Sequence, residues 1–150
     1  MGFEEIVTTI LEQAKVIAVV GLSDRPDRPS YGVAQFLQAH GCRIIPVNPQ
    51  VTSVLGEVAY PSLGAIPREV TVDVVDVFRR ADQTPAVAAE AVAIGAKALW
   101  LQLGIVSPEA ATIASAGGLT VVMDRCMKIE WEQRWGSGPQ PSEPAPSQAG

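Results

Sequence analysis

The chain has 150 residues, of which 47% are hydrophobic and 18% charged, which leaves room for one domain of ordinary size and not for two. Eleven Lys and Arg against 16 Asp and Glu give a formal net charge of −5, which excludes a global basic field for nucleic acid. Two cysteines, Cys42 and Cys126, exclude a disulfide framework and point to a reduced, intracellular protein.

In chain order, a helix is expected over residues 3–14. Its acidic start, Met1-Gly-Phe-Glu-Glu, lacks the basic region of a signal peptide. The continuous apolar run Val16–Val20 then reads as a strand covered on both faces. A loop from Gly21 to Ser30 follows. Gly21 permits a tight turn, Ser23 offers a hydroxyl, and Arg25 and Arg28 bring positive charge to an otherwise acidic protein. Ser30 reads as the cap of a helix running to His40 and stopping at Gly41. Orphan amides at that helix start make the loop a plausible phosphate cradle.

The second strand, Arg43–Val47, runs into Asn48-Pro49, and a third covers residues 72–78. Thr84 and Pro85 open a helix closed by Gly95, and a fourth strand covers residues 98–103. Ser107 and Pro108 open the next helix, closed by Gly117 and Gly118. A fifth strand over 120–123 and a last helix over 124–135 complete the alternation. The longest apolar stretch, 91–106, is interrupted by Lys97 and Gln102 and is too short to cross a bilayer, so a cytoplasmic protein is expected.

Composition changes at Gly136. Residues 136–150 carry four prolines and no large apolar side chain, the mark of a disordered tail on a domain of residues 1–135. Five strands alternating with helices specify an α/β fold, a three-layer, doubly wound, parallel five-stranded sheet. Ligands of such sheets bind beyond the carboxyl ends of the strands. The first loop has Gly, Ser and Pro at positions 21, 23 and 26 where a dinucleotide fingerprint needs three glycines. Strand two ends in Val47-Asn48-Pro49 without the acid that holds a ribose hydroxyl, so NAD is disfavoured. A nucleoside-triphosphate loop is absent as well.

Several motifs occur in order: Val20-Gly-Leu-Ser with Asp27-Arg-Pro-Ser-Tyr, Pro46-Val-Asn-Pro, Asp76-Val-Phe-Arg, Trp100-Leu-Gln-Leu-Gly, and Val122-Met-Asp-Arg-Cys-Met-Lys-Ile-Glu. Together they resemble the small, single-domain CoA-binding proteins of the YccU type, whose Rossmann-like fold is shared with the CoA-binding half of succinyl-CoA synthetase. The resemblance covers residues 3–135, with Met127 standing where many relatives carry proline. It implies a CoA or acyl-CoA ligand. Gly21, Leu22 and Ser23 would lie at its pyrophosphate, Arg28 would pair with a phosphate, and Ser30 would stand at the helix start. Val47, Asn48 and Pro49 would lie near the adenosine end, and Phe78, Arg79, Leu103 and Gly104 would flank the same crevice. The missing ribose acid agrees with this, since a carboxylate there would repel the 3′-phosphate of CoA.

No catalytic set or metal cluster is expected. His40, the one histidine, suits a helix carboxyl end better than catalysis. Cys126, between Arg125 and Lys128, reads either as a reactive thiol or as a small apolar residue at a turn, the second being favoured. Asp76, unusual in a buried strand, is expected to bond loop amides, and Asp124 to bond within its loop or cap a helix. Trp131 and Trp135 either cover the sheet or form a contact between copies. The reading is a non-catalytic carrier, sensor or regulatory module for CoA. Its alternatives are a small NAD(P)-dependent oxidoreductase and an interaction module with a vestigial nucleotide site. No nucleic-acid or membrane partner is expected, and a homo-oligomer or protein partner is left open.

Overall fold

A computed structural model describes residues 2–136, so the expected tail lies outside the described residues apart from Gly136. The central sheet contains β1 (Val16–Val20), β2 (Arg43–Val47), β5 (Val74–Val77), β6 (Ala98–Leu101) and β7 (Thr120–Val122). They are all parallel, in the order β2-β1-β5-β6-β7. Between β2 and β5 lies a hairpin that the apolar pattern did not reveal, β3 (Ser53–Val54) and β4 (Glu57–Val58), because its strands are too short to carry a period. The chain then returns alongside β2, where Val47 bridges Tyr60.

Strands of this sheet are apolar on both faces because helices cover both. On one side α1 (Phe3–Gln13), α2 (Pro29–Ala39) and α5 (Met127–Trp135) pack on Ile17, Val19, Val74, Trp100 and Val122. Helix α1 shows why it docks: Val7, Ile10 and Leu11 recur at helical spacing and are its buried residues. Opposite, α3 (Thr84–Ala93) and α4 (Pro108–Ala116) cover Ala18, Val20, Val75, Val77, Leu99 and Leu101. Their buried faces are largely alanine, and Gly117 lies so close to Val92 that a Cβ there would fall 2.5 Å from its methyl group.

Three expectations are corrected. The apolar runs 72–78, 98–103 and 120–123 overestimate their strands: residues 78, 102–103 and 123 leave the ladder for loops at its carboxyl edge, and residues 72–73 precede it. Ser30 does not cap α2: Arg28 holds the cap position and Ser30 is buried within the first turn. Asp76 bonds no loop amide. It lies in one row across the sheet with Val19, Trp100 and Val122, fully buried, and neither carboxyl oxygen has a hydrogen-bond partner among the described residues. The tryptophans cover the sheet side: Trp131 is fully buried, with Trp135 edge-on at 5.3 Å. No described helix is long and apolar enough to cross a membrane.

Candidate functional site

The chain passes from β1 to β2 on one side and to β5 on the other, so the sheet order reverses between β1 and β5. Their carboxyl ends carry Gly21 and Phe78. Gly21 has φ +86, and a Cβ on it would lie 2.6 Å from the Phe78 carbonyl oxygen. Only glycine lets the two strand ends approach this closely.

Above this point is a cavity of about 380 Å³ lined by Gly21, Ser23, Arg25, Arg28, Pro29, Ser30 and Phe78. Its floor is built by internal bonds. Ser30 Oγ accepts from the Ser23 amide at 3.0 Å, and Ser23 Oγ accepts from the Arg25 amide at 3.0 Å. The Ser23 hydroxyl keeps its proton for another acceptor. The amides of Leu22 and Ser30 donate to no described residue, and α2 begins without a side-chain cap. A helix end in this state is a ready acceptor of negative charge.

Positive charge converges on the same place. Arg25 pairs with Asp27 at 3.5 Å, both exposed. Arg28, at the helix start, and Arg79 make no ion pair with another described residue. The Nε of Arg79 lies over the glycine turn, 3.5 Å from where a Cβ of Gly21 would be. Two guanidinium groups without an ion pair among the described residues, Arg28 at the helix start and Arg79 over the glycine turn, suit an anion with more than one charge in a chain of net charge −5.

A second cavity of about 500 Å³ adjoins the first, sharing Pro29 and Phe78. It is lined further by Val33, Arg79, Arg80, Gln102, Leu103, Ile105, Cys126 and Ile129. Its lip is fixed where Asp124, itself at φ +59, accepts the Gly104 amide at 2.7 Å. Asp124 thus bonds across to the loop after β6 rather than within its own loop.

The structure thus brings Gly21, Ser23, Arg28, Ser30 and Phe78 into one cavity and Phe78, Arg79 and Leu103 into the next, with Gly104 on the lip. Leu22 and Val47 are buried in the core and reach the crevice only through backbone. Asn48 is a brace: its Nδ2 donates to the Leu22 carbonyl at 3.0 Å, and its Oδ1 accepts from Gln50 at 2.8 Å. It holds the β2 loop against the β1 loop, with Pro49 exposed beside it. Neither Asn48 nor Pro49 lines either cavity.

Sequence reasoning missed Val33, Arg80, Ile105 and Ile129 as lining residues. Gln102 carried a signal, being polar at the end of an apolar run. The basic flank of Cys126 is already occupied, since Arg125 pairs with Glu4 and Glu130 at 3.0 Å each. His40 holds the cap of α2, its Nδ1 2.7 Å from the Phe36 carbonyl oxygen and its ring stacked on Phe36. Among the described residues, no group of three or more His, Cys, Asp or Glu side chains could hold a metal ion.

Comparison with known proteins places this geometry among relatives. Residues 15–132 match the model of a family described as a CoA binding domain. The uncharacterized protein YneT of Bacillus subtilis (strain 168) is 47% identical over 120 residues, covering 80% of this chain and 87% of YneT. A solved structure of a hypothetical protein from Pyrococcus horikoshii OT3 is 37% identical with a TM-score of 0.83, covering 88% of this chain and 92% of the other. One from Thermus thermophilus is 35% identical with a TM-score of 0.82, covering 89% and 98%.

Proposed function

The chain belongs to the CoA-binding domain family, and from that premise we propose that it binds coenzyme A or an acyl-CoA across the carboxyl ends of β2, β1, β5 and β6, as a non-catalytic carrier, sensor or regulatory module. The pyrophosphate lies in the first cavity, against the uncapped start of α2. Gly21, Leu22 and Ser23 supply the close backbone and a hydroxyl there, Arg28 and Arg79 supply charge, and Ser30 holds Ser23 in place. The adenosine end lies toward Val47, Asn48 and Pro49. An uncharged Asn48 at that position spares the 3′-phosphate the repulsion an acid would exert. The pantetheine arm passes Phe78 toward Leu103 and Gly104.

The observation that carries this reading is the pair of unpaired arginines, Arg28 and Arg79, beside unpartnered amides at the β1/β5 reversal point. Calorimetric titration with CoA, acetyl-CoA, NAD and NADP side by side tests it. CoA and acetyl-CoA should bind. Arg28→Ala and Arg79→Ala should each weaken them by roughly tenfold or more, as loss of a charge-assisted hydrogen bond to phosphate does. Binding of NAD without CoA overturns the reading, as does parental affinity in both variants. Purified protein should hydrolyse acyl-CoA no faster than background.

A further inference from the structure

We propose that the second cavity selects a CoA thioester with a linear, apolar acyl chain, whose carbonyl accepts a hydrogen bond from the side-chain amide of Gln102. The proposal rests on the CoA reading of the neighbouring cradle and names what the thiol end of that ligand carries.

Gln102 is 5% exposed and lines the cavity. Its Oε1 accepts from the Met127 amide at 3.2 Å. A backbone N–H can pair only with the oxygen, so this bond fixes which way the side chain points. Its Nε2 then donates to no described residue. Among the described residues, the fully buried side-chain atoms without a partner are the two oxygens of Asp76. Nε2 therefore keeps accessible surface, and the open space beside Gln102 is the cavity it lines. A nine-tenths-buried amide that offers N–H to a mostly apolar cavity is a site for a carbonyl oxygen.

Around it the walls are apolar: Val33, Phe78 and Ile105 inside, with Leu103 62% and Ile129 43% exposed at the rim. Apolar side chains held in water beside an apolar cavity gain by being covered. A cavity of about 500 Å³ also exceeds what a bare thiol would occupy. The charge pattern argues against a dicarboxylic acyl group. Of the two arginines on the wall, Arg79 lies over the phosphate cradle and Arg80 pairs with Asp82 at 3.4 Å. With Arg79 taken by the phosphate and Arg80 held at the surface, the inner wall offers a distal carboxylate no buried cation among the described residues.

The experiment titrates the full chain with CoA, octanoyl-CoA, succinyl-CoA and S-octyl-CoA, the thioether that keeps the chain and lacks the carbonyl. A buried methylene is worth about fourfold in affinity. Octanoyl-CoA should therefore bind at least tenfold tighter than CoA, and succinyl-CoA no tighter than CoA. The thioether should bind several-fold weaker than octanoyl-CoA. Ile129→Ser, at an exposed position, should reduce the advantage of octanoyl-CoA over free CoA. Gln102→Glu keeps an acceptor for Met127 and removes the donor, so it should abolish the difference between thioester and thioether. If CoA binds but octanoyl-CoA gains nothing, the proposal fails and the CoA reading stands. Equal affinity for thioester and thioether in the parent chain removes Gln102 from it. No binding of CoA at all overturns the underlying reading and this proposal together.

Discussion

Asp76 is the least expected residue of the core. Its pKa is raised well above the ordinary value of 3.8 because burial penalises the charged form, and no partner offsets that penalty. The folded chain therefore keeps a proton that the unfolded chain releases. Stability from this group is intact below pH 3.8 and declines as pH rises from there, until the native carboxyl itself ionises. Replacing it by an apolar side chain of similar size removes the penalty. Asp76→Val should be more stable than the parent at pH 8 by about 1–3 kcal/mol. Urea denaturation should show that advantage shrinking toward pH 4, and an advantage constant across that range would show the carboxyl to be paired in solution. The continuous apolar run around it revealed that Asp76 is buried; a partner, or the lack of one, lies in chain distant in sequence and could not be read there. Gly21 teaches the same lesson differently. Its glycine was legible, yet the close neighbour is the Phe78 carbonyl as well as any ligand. Gly21→Ala should cost about 2 kcal/mol or more in urea denaturation from the left-handed backbone and the collision together. Its effect on CoA binding should follow from that distortion.

Among the elements, the tie between α1 and α5 passes through charged groups at unequal depth. Glu130, whose side chain is 7% exposed, accepts from both Arg125 and Arg134. Glu4 also pairs with both arginines but lies on the surface, and its hydrogen bond to Arg125 lowers its pKa. A surface partner is screened by water, while a buried acceptor of two guanidinium groups leaves both of them under-bonded when removed. Glu130→Ala should therefore destabilise by about 3 kcal/mol, lessened where the arginines reach solvent, and Glu4→Ala should barely move the melting midpoint. Reversal of that order would place the tie on the surface. Helix positions were legible within one or two residues because Pro, Ser and Gly mark their ends. The start of α5 was placed three residues early, since Asp124 to Cys126 look like a helix opening and in fact form the turn that braces the lip.

For the whole molecule, the parallel order and its reversal point were legible because five short apolar runs alternate with punctuated helices. The second cavity was not, because its walls come from four separate segments that meet only in the fold. The molecule as a whole repels an anion that the crevice attracts. Raising salt screens both effects, but the cradle contacts are short and the net charge acts from farther away. CoA affinity should fall with added salt if the cradle dominates, and titrations at low and high ionic strength check this; an affinity that rises would show that the global charge governs.

The return of the chain beside β2 bears on a different property, self-association. The Pro46 carbonyl accepts from the Tyr60 amide at 2.9 Å, and the Asn48 amide donates to the Tyr60 carbonyl at 2.9 Å. In a parallel strand the nitrogen and carbonyl of one residue face the same side, so Pro46 directs its missing N–H outward, where the ladder to β1 needs nothing. That border of the sheet is thus occupied at two residues and donorless at a third group. The opposite border, β7, is only three residues long. A parallel sheet left open would be a template for stacking further chains. Here one margin is covered at Pro46 and Asn48 and the other offers only three residues, so neither gives a neighbouring chain a long uninterrupted edge to pair with.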